Sequence, residues 1–156
     1  MTEDMYGEIG PGSLEDRLFD VLSDIATRFT HAKVTIEGEN GPRLLKLFCT
    51  SGSAASVAII PDPGQIDVFI GEEARFELLA RGKSAKNPMQ DIRCLLSAVV
   101  DGRFEEIVWE IRGRVIRSKA MVRLNDGEYK NVVSSWRLLG LLLPGHKRRI
   151  RYEPYE

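Results

Sequence analysis

The sequence predicts an α+β domain built on a mostly antiparallel sheet, and three observations lead to that prediction. Two segments carry apolar residues at helical spacing, several short segments alternate apolar and polar residues, and turn-forming residues separate the short segments. Turns at such short spacing suit antiparallel strands, whereas parallel strands need long crossovers. With 156 residues the chain has the length of one domain. We expect a single domain over 13–145, preceded by a flexible N-terminal arm at 1–12 and followed by a basic C-terminal tail at 146–156.

The first helix is predicted to begin at Ser13 and to run to about His31. Ser13 and Asp16 have the spacing of a capping box, in which each side chain bonds the backbone of the other residue. The apolar residues that follow at helical spacing are Leu14, Leu18, Val21, Leu22, Ile25 and Phe29. Glu15, Asp16, Asp20 and Asp24 lie on the outward face, which we interpret as solvated surface.

A β-meander is predicted to follow this helix. Its strands are expected over 33–37, 43–49, 54–60 and 65–70, with a further short strand over 72–78. Pairs such as Asn40 with Gly41 and Ser51 with Gly52 accept turn geometries between these strands. The spacing therefore indicates antiparallel neighbours.

The second helix has a clear predicted start. Asn87 can cap it, Pro88 suits the first helical position, and Gln90 can return a hydrogen bond to the cap. Its apolar stripe consists of Met89, Ile92, Leu95, Leu96, Val99 and Val100. Gly102 is expected to end this helix.

A β-hairpin with a two-residue turn at Arg112 and Gly113 is predicted next. In that register Trp109 opposes Ile116 and is buried, and Glu106 opposes Lys119. A second turn at 125–127 leads into a strand over 128–134, and the simplest arrangement is one sheet with two helices packed on one face. Residues 136–143 are expected to form a short C-terminal helix or an apolar segment laid on the core. The alternative is an exposed apolar patch that docks a partner.

Composition excludes several classes of protein. The longest strongly apolar run, 138–143, is far shorter than the roughly 20 residues that span a membrane. The acidic N-terminus lacks the pattern of a secretory signal, so we expect a cytoplasmic protein. Cys49 and Cys94 are too few and too isolated for a disulfide framework or a metal signature.

Catalytic residues are not apparent in the sequence. A nucleophile needs a base that a third group positions, and the two histidines, His31 and His146, have no neighbours of that kind. Motifs of serine hydrolases, zinc proteases and nucleotide-binding loops are missing. We therefore predict no catalytic, metal-binding or cofactor-binding residues, and an enzyme with an unrecognised site is kept as an alternative.

The strongest candidate for a contact surface is the basic cluster near the C-terminus. Lys147, Arg148, Arg149 and Arg151 are predicted to contact a partner protein, because arginine supplies directional donors and is enriched at interfaces. A nucleic-acid or phosphate contact is an alternative, although the net charge of −1 argues against a general nucleic-acid binder. The cluster could also be a solvated tail or could pair with the acidic first helix.

Residues 66–124 carry a resemblance to a known class of proteins. The strings DVFIGEEARFEL and GRFEEIVWEIRGRVIRS, with the LNDG turn, are similar to small actinobacterial immunity-like proteins. That resemblance implies a protein that neutralises a partner toxin. The order of elements is also similar to the type III secretion chaperone-like fold, which implies a platform that binds another protein.

These considerations predict a non-catalytic module that binds another protein, with an immunity or antitoxin-like role as the first choice. A secretion-chaperone-like or structural accessory role is the second choice. Nucleic-acid or phosphate binding and an unrecognised enzyme follow as further alternatives, and a homodimer stays open. The sequence identifies neither the partner nor which of the sheet face, the segment 136–143 and the basic cluster would bind it.

Overall fold

The computed structural model describes residues 13–39, 41–62, 64–79, 88–124, 126–136 and 144–156. The helices are α1 (Leu14–Ala26) and α2 (Pro88–Val100). The strands are β1 (Ala32–Glu37), β2 (Leu44–Cys49), β3 (Val57–Pro61), β4 (Gln65–Ile70), β5 (Ala74–Leu79), β6 (Phe104–Ile111), β7 (Arg114–Arg123), β8 (Tyr129–Trp136) and β9 (His146–Arg151). The predicted α+β class with antiparallel pairing is confirmed. The N-terminal arm at 1–12 and residues 137–143 of the expected C-terminal helix lie outside the described residues, and Trp136 ends β8.

The strands form two sheets, so the expectation of one sheet is wrong. One sheet is the meander, in the order β1-β2-β3-β4-β5, and the other has the order β8-β7-β6-β9. The physical reason lies in the face of the second sheet that carries Phe104 and Ala120, because both residues are buried in the same core cluster as the helices and the meander. Stacking this face on the core buries apolar area that an edge-to-edge extension of the meander would leave exposed.

The first helix begins as predicted and ends earlier. The Ser13 hydroxyl accepts a hydrogen bond from the Asp16 N–H at 3.1 Å, and the Asp16 carboxylate accepts one from the Ser13 N–H at 3.2 Å. Hydrogen bonds from the Ser13 side chain and backbone lower the pKa of Asp16. The helix ends at Ala26 rather than near His31. For α2, Pro88 takes the first helical position, and the expected cap Asn87 lies outside the described residues.

The main core lies between the helices and the five-stranded sheet. Its fully buried side chains include Leu18 and Leu22 of α1, Leu96 of α2 and Ile59 of β3. Tyr155 is buried in the same cluster and donates a hydrogen bond from its hydroxyl to the Ala55 carbonyl at 2.7 Å. The end of the chain is therefore part of the fold.

The β6–β7 hairpin has the predicted turn but a different register. Arg112 and Gly113 both have positive φ angles, 50° and 74°, as a two-residue hairpin turn requires. A β-bulge then leaves Ile116 without a partner on β6, so Trp109 opposes Arg117 and Glu106 opposes Ala120. The predicted Trp109–Ile116 and Glu106–Lys119 pairs are wrong, and Trp109 is half-buried. Because one extra residue reverses the alternation, the cations of β7 beyond the bulge share the face of Trp109.

Residues 146–156, expected as a basic tail, are integrated into the structure. The strand β9 pairs antiparallel with β6 along its whole length, with Val108 opposite Arg148 and Glu105 opposite Arg151. After the strand, the Tyr155 N–H donates to the Val100 carbonyl at 2.9 Å. The basic cluster is thus an ordered edge strand of the four-stranded sheet.

Candidate partner-binding face

The strand alternation of β9 divides the predicted contact residues into two groups. Lys147, Arg149 and Arg151 lie opposite Trp109, Ile107 and Glu105 of β6 and share their face of the sheet. Arg148 lies opposite Val108 and belongs to the other face. The cluster that looks continuous in the sequence therefore serves two surfaces.

Arg148 is held within the protein. Its Nη2 lies 2.7 Å from Glu110 Oε1 and 2.9 Å from Glu72 Oε2. These hydrogen bonds, that to Glu72 first and that to Glu110 second, raise the pKa of Arg148. Since Glu110 is on β6 and Glu72 precedes β5, Arg148 joins the two sheets and is a poor choice of partner contact.

The opposite surface of the four-stranded sheet, which we call the basic face, presents cations from two strands. The cations are Lys147, Arg149 and Arg151 of β9 with Arg117, Lys119 and Arg123 of β7. Glu105, Ile107 and Trp109 of β6 lie between these two rows. Among the described strand residues, Glu105 is the one acidic side chain on this face.

Aromatic rings lie among these cations. The guanidinium carbon of Arg117 is 4.2 Å from the centre of the Trp109 ring, and Lys147 Nζ is 5.8 Å from that centre. The Arg149 guanidinium carbon is 5.9 Å from the centre of the Tyr129 ring. Cation–π contacts of this kind hold long side chains in place without neutralising their charge.

Glu105 lies beneath two of the arginines. It is 3% exposed, its Oε1 lies 3.6 Å from Arg149 Nε, and its Oε2 lies 3.5 Å from Arg151 Nε. At these distances the opposite charges attract each other. Oε1 nevertheless has no hydrogen-bond partner among the described residues. Arg148, Arg149 and Arg151 thus pair with Glu72, Glu110 and Glu105, and the alternative of pairing with the acidic first helix is wrong for these three.

On the other face, Glu106 forms a closed joint between the sheets. It is 1% exposed and accepts hydrogen bonds from the N–H groups of Glu72 at 3.0 Å, Glu73 at 2.9 Å and Ala74 at 2.6 Å. The Tyr152 hydroxyl donates a further hydrogen bond to it. Burial first, and this bond to Glu106 second, raise the pKa of Tyr152. Because both carboxylate oxygens are occupied by donors of this chain, we interpret Glu106 as structural.

Exposed apolar side chains lie beside the basic face. Leu124 and Tyr129 are each 40% exposed and Val132 is 38% exposed, which makes three of the four exposed large hydrophobic residues among those described. All three belong to the β7–β8 hairpin, and β8 is an edge strand. Large apolar residues grouped beside cations are typical of a protein interface.

A cavity of about 260 Å³ opens where the basic face meets the C-terminal segment. Its lining includes Arg103, Arg123 and Arg151, with Tyr129, Tyr152 and Glu105. Arg123 has no side-chain hydrogen bond or ion pair with the residues that the structure describes, so its donors are available. The cavity is large enough to hold a small polar group.

Neither a metal site nor a membrane-spanning helix is present among the described residues. Across the described residues, no group of three or more His, Cys, Asp or Glu side chains could hold a metal ion. Neither of the two described helices is long and apolar enough to cross a membrane. His31 and His146 are both exposed. His31 directly precedes β1 of the five-stranded sheet, and His146 begins β9 of the four-stranded sheet.

Comparisons with protein-family models, with curated proteins and with solved structures found no match. The candidate site therefore rests on its geometry.

Three of the six cations of the basic face could be predicted from the sequence. Lys147, Arg149 and Arg151 were predicted as contact residues, whereas the predicted hairpin register placed Arg117, Lys119 and Arg123 on the face opposite Trp109. The alternation of cations along β7 indicates that they share one face of the sheet. The predicted register assigned the wrong face because it ignored the bulge at Ile116, which brings Trp109 and Arg117 together.

Proposed function

We propose that this protein is a non-catalytic module that binds an acidic surface of a partner protein through the basic face and the β7–β8 hairpin. The observation that carries the proposal is that six cations and the exposed ring of Tyr129 share one face of a single sheet, and that the exposed Leu124 and Val132 belong to the neighbouring β7–β8 hairpin. Cations steer an acidic partner and fix its orientation, while apolar residues supply the area that is buried on contact.

The distribution of charge supports a protein partner of defined shape. The whole chain has a net charge of −1, although the basic face has six cations against the carboxylate of Glu105. The rest of the chain therefore carries a net negative charge, which disfavours a long polyanion that would wrap the molecule. A partner with a compact acidic patch avoids this repulsion.

An immunity or antitoxin-like role is the specific form of the proposal that we favour. Such a protein acts by stoichiometric capture, and the basic face suits capture because three of its six cations are already held over Trp109 and Tyr129. A secretion-chaperone-like role would use the same surface for a partner in transit. Both roles require binding without turnover.

The test is a charge-reversal pair that leaves the fold intact. Lys119→Glu with Lys147→Glu changes two cations of the basic face, neither of which forms an ion pair with the described residues. The matched control is Lys33→Glu with Arg93→Glu, since both residues are exposed and lie on β1 and α2. Each double variant changes the net charge equally, so overall charge cannot explain a difference between them.

The readout is affinity for the protein that co-purifies from the source cells, measured with both purified components by calorimetry. We expect the basic-face variant to lose at least tenfold in affinity and the control to stay within threefold. A one-to-one complex with unchanged affinity in the basic-face variant would refute this surface. Catalytic turnover by sub-stoichiometric protein would refute a purely binding role.

Single-stranded nucleic acid is the second candidate, and the rings of Trp109 and Tyr129 among cations are the observation that favours it. Fluorescence anisotropy with a labelled oligonucleotide at two salt concentrations tests it. Binding that falls steeply with salt and is lost in Trp109→Ala would favour nucleic acid over protein.

A further inference from the structure

The cavity beside Arg151 combines features that point to a small oxyanion. Arg123 lacks an ion-pair partner among the described residues, and Arg151 is held by Glu105 at a long distance of 3.5 Å. Arg103 is more firmly engaged, with its Nη2 3.0 Å from Asp101. Two guanidinium groups with unfilled donors can bind the oxygens of a tetrahedral anion in fork geometry.

The acidic groups of the cavity differ in how far they are satisfied. The Oε2 atom of Glu153 accepts a hydrogen bond from the Ser53 N–H at 3.1 Å, so that carboxylate is already used by the fold. Glu105 is 3% exposed, and its Oε1 is buried without a hydrogen-bond partner among the described residues. A buried acceptor without a hydrogen bond destabilises the folded protein, and a ligand that supplies a donor removes that cost.

Arg149 is the cation that lies nearest to this acceptor oxygen. Its Nε lies 3.6 Å from Glu105 Oε1, and its side chain is 43% exposed on an edge strand. The guanidinium carbon of Arg149 is also 5.9 Å from the centre of the Tyr129 ring, which lines the cavity, so this side chain lies beside the cavity.

We propose that this cavity binds a protonated tetrahedral oxyanion, hydrogen phosphate being the simplest, with Arg123 and Arg151 donating to its oxygens and Glu105 accepting its O–H. A carboxylate between two arginines repels a fully deprotonated anion but accepts a hydrogen bond from one that has kept a proton. At neutral pH inorganic phosphate keeps at least one O–H, and sulfate keeps none. The site therefore discriminates between two anions of nearly the same size and shape.

The cavity shares Arg123, Arg151 and Tyr129 with the surface proposed for the protein partner, but a small anion needs only the cavity and its side chains. The same chemistry could belong to free phosphate or to a phosphomonoester, whose last proton leaves near pH 6. A site for free phosphate binds inorganic phosphate at pH 7.5 more tightly than O-phosphoserine. A site for a phosphomonoester binds O-phosphoserine at pH 5.5 at least as tightly as inorganic phosphate.

The test is a titration of the full chain with inorganic phosphate and with sulfate at equal ionic strength, followed by NMR of the arginine Nε–H and backbone N–H signals. We expect phosphate to bind at least tenfold more tightly than sulfate. The shifts should centre on Arg123, Arg151 and Tyr129. Equal affinity for the two anions, or shifts spread over all the surface cations, would overturn the proposal.

Two variants and one control separate the roles of the side chains. Glu105→Gln keeps the shape and adds a donor, so the preference for phosphate should fall to within threefold while sulfate binding rises. Arg123→Gln should weaken phosphate at least tenfold, and its exposed position makes loss of the fold an implausible explanation. Arg93→Gln on α2 is the matched control and should leave phosphate affinity unchanged. A Glu105→Gln protein that keeps the full preference would refute the role given to Glu105.

Discussion

Glu105 and Glu106 are consecutive, equally buried carboxylates on opposite faces of the same strand, and their surroundings are opposite in character. Glu106 receives four hydrogen bonds from the backbone of 72–74 and the hydroxyl of Tyr152. Glu105 has two guanidinium groups at 3.5 and 3.6 Å and an oxygen without a hydrogen bond among the described residues. A carboxylate satisfied by its own chain is a structural joint, and one left incomplete on a charged face is a candidate for function.

The difference arises from what each face meets. Glu106 points to the turn between β4 and β5, where consecutive N–H groups converge on one point and form a cradle for an anion. Glu105 points to the outer face, where the neighbouring donors belong to the long side chains of Arg149 and Arg151. Backbone donors are fixed by the fold, whereas arginine side chains can exchange one acceptor for another.

The largest expected effect comes from Glu106→Leu. Removing the acceptor leaves the N–H groups of Glu73 and Ala74 and the Tyr152 hydroxyl without the carboxylate that now accepts from them, so the free energy of unfolding should fall by about 3–5 kcal/mol. The matched substitution Glu105→Leu should change it by less than about 1 kcal/mol, because a loosely paired buried charge contributes little net stability. Urea denaturation of both variants measures the contrast. Equal losses would mean that the two faces do not differ as described.

Gly71→Ala tests the cradle from its other side. Gly71 has a φ of +66°, and an added Cβ would lie 2.6 Å from Glu106 Oε2 and close against the Tyr152 hydroxyl. We expect a loss of about 2–4 kcal/mol, the sum of left-handed strain and steric conflict. Gly113→Ala has a similar φ of +74° and open space, so it isolates the strain and should cost about 1–2 kcal/mol. If the two variants have the same melting temperature, the added Cβ at Gly71 causes no steric conflict and only the backbone strain remains.

The buried tyrosines predict a decline of stability at alkaline pH. Burial raises the pKa of both Tyr152 and Tyr155, with the hydrogen bond to Glu106 as the second cause for Tyr152. The folded protein therefore keeps these protons after the unfolded chain has lost them, near pH 10. Stability should be complete below about pH 10 and should fall above it, by up to about 1.4 kcal/mol per pH unit for each tyrosine.

The measurement is the urea midpoint between pH 8 and pH 11.5. Tyr152→Phe should lower the free energy of unfolding by about 1–2 kcal/mol at neutral pH, because it removes the hydroxyl that donates a hydrogen bond to Glu106. The double variant with Tyr155→Phe should show a flatter alkaline decline than the parent protein. A slope unchanged by both substitutions would assign the decline to other groups.

The smallest expected effects concern the two groups of cations in β9. Arg148→Ala should lower the free energy of unfolding by about 0.5–1 kcal/mol, because its ion pairs with Glu72 and Glu110 are partly exposed. Lys147→Ala should change it by less than about 0.5 kcal/mol. For partner binding we expect the reverse order, with Lys147→Ala the more damaging. If Arg148→Ala weakens binding more than Lys147→Ala while the fold is retained, the assignment of faces is wrong.

The sequence by itself determined the local elements of this protein. The capping box at Ser13, the meander turns and the Arg112–Gly113 turn depend on residues close in the chain, so their chemistry could be identified from spacing alone. The basic cluster was found in the same way, because four cations within five residues are visible in any sequence. What each of these cations does was not visible.

The tertiary structure decided the rest, since it depends on contacts between distant segments. The division into two sheets, the insertion of β9 beside β6 and the cradle for Glu106 join residues more than 30 positions apart. A single bulge at Ile116 exchanged the faces of β7 and placed Arg117 on Trp109. Local propensity does not encode such a bulge, because its free energy comes from how the whole sheet packs on the core. The same packing gives Glu106 four hydrogen bonds and leaves Glu105 Oε1 without one among the described residues.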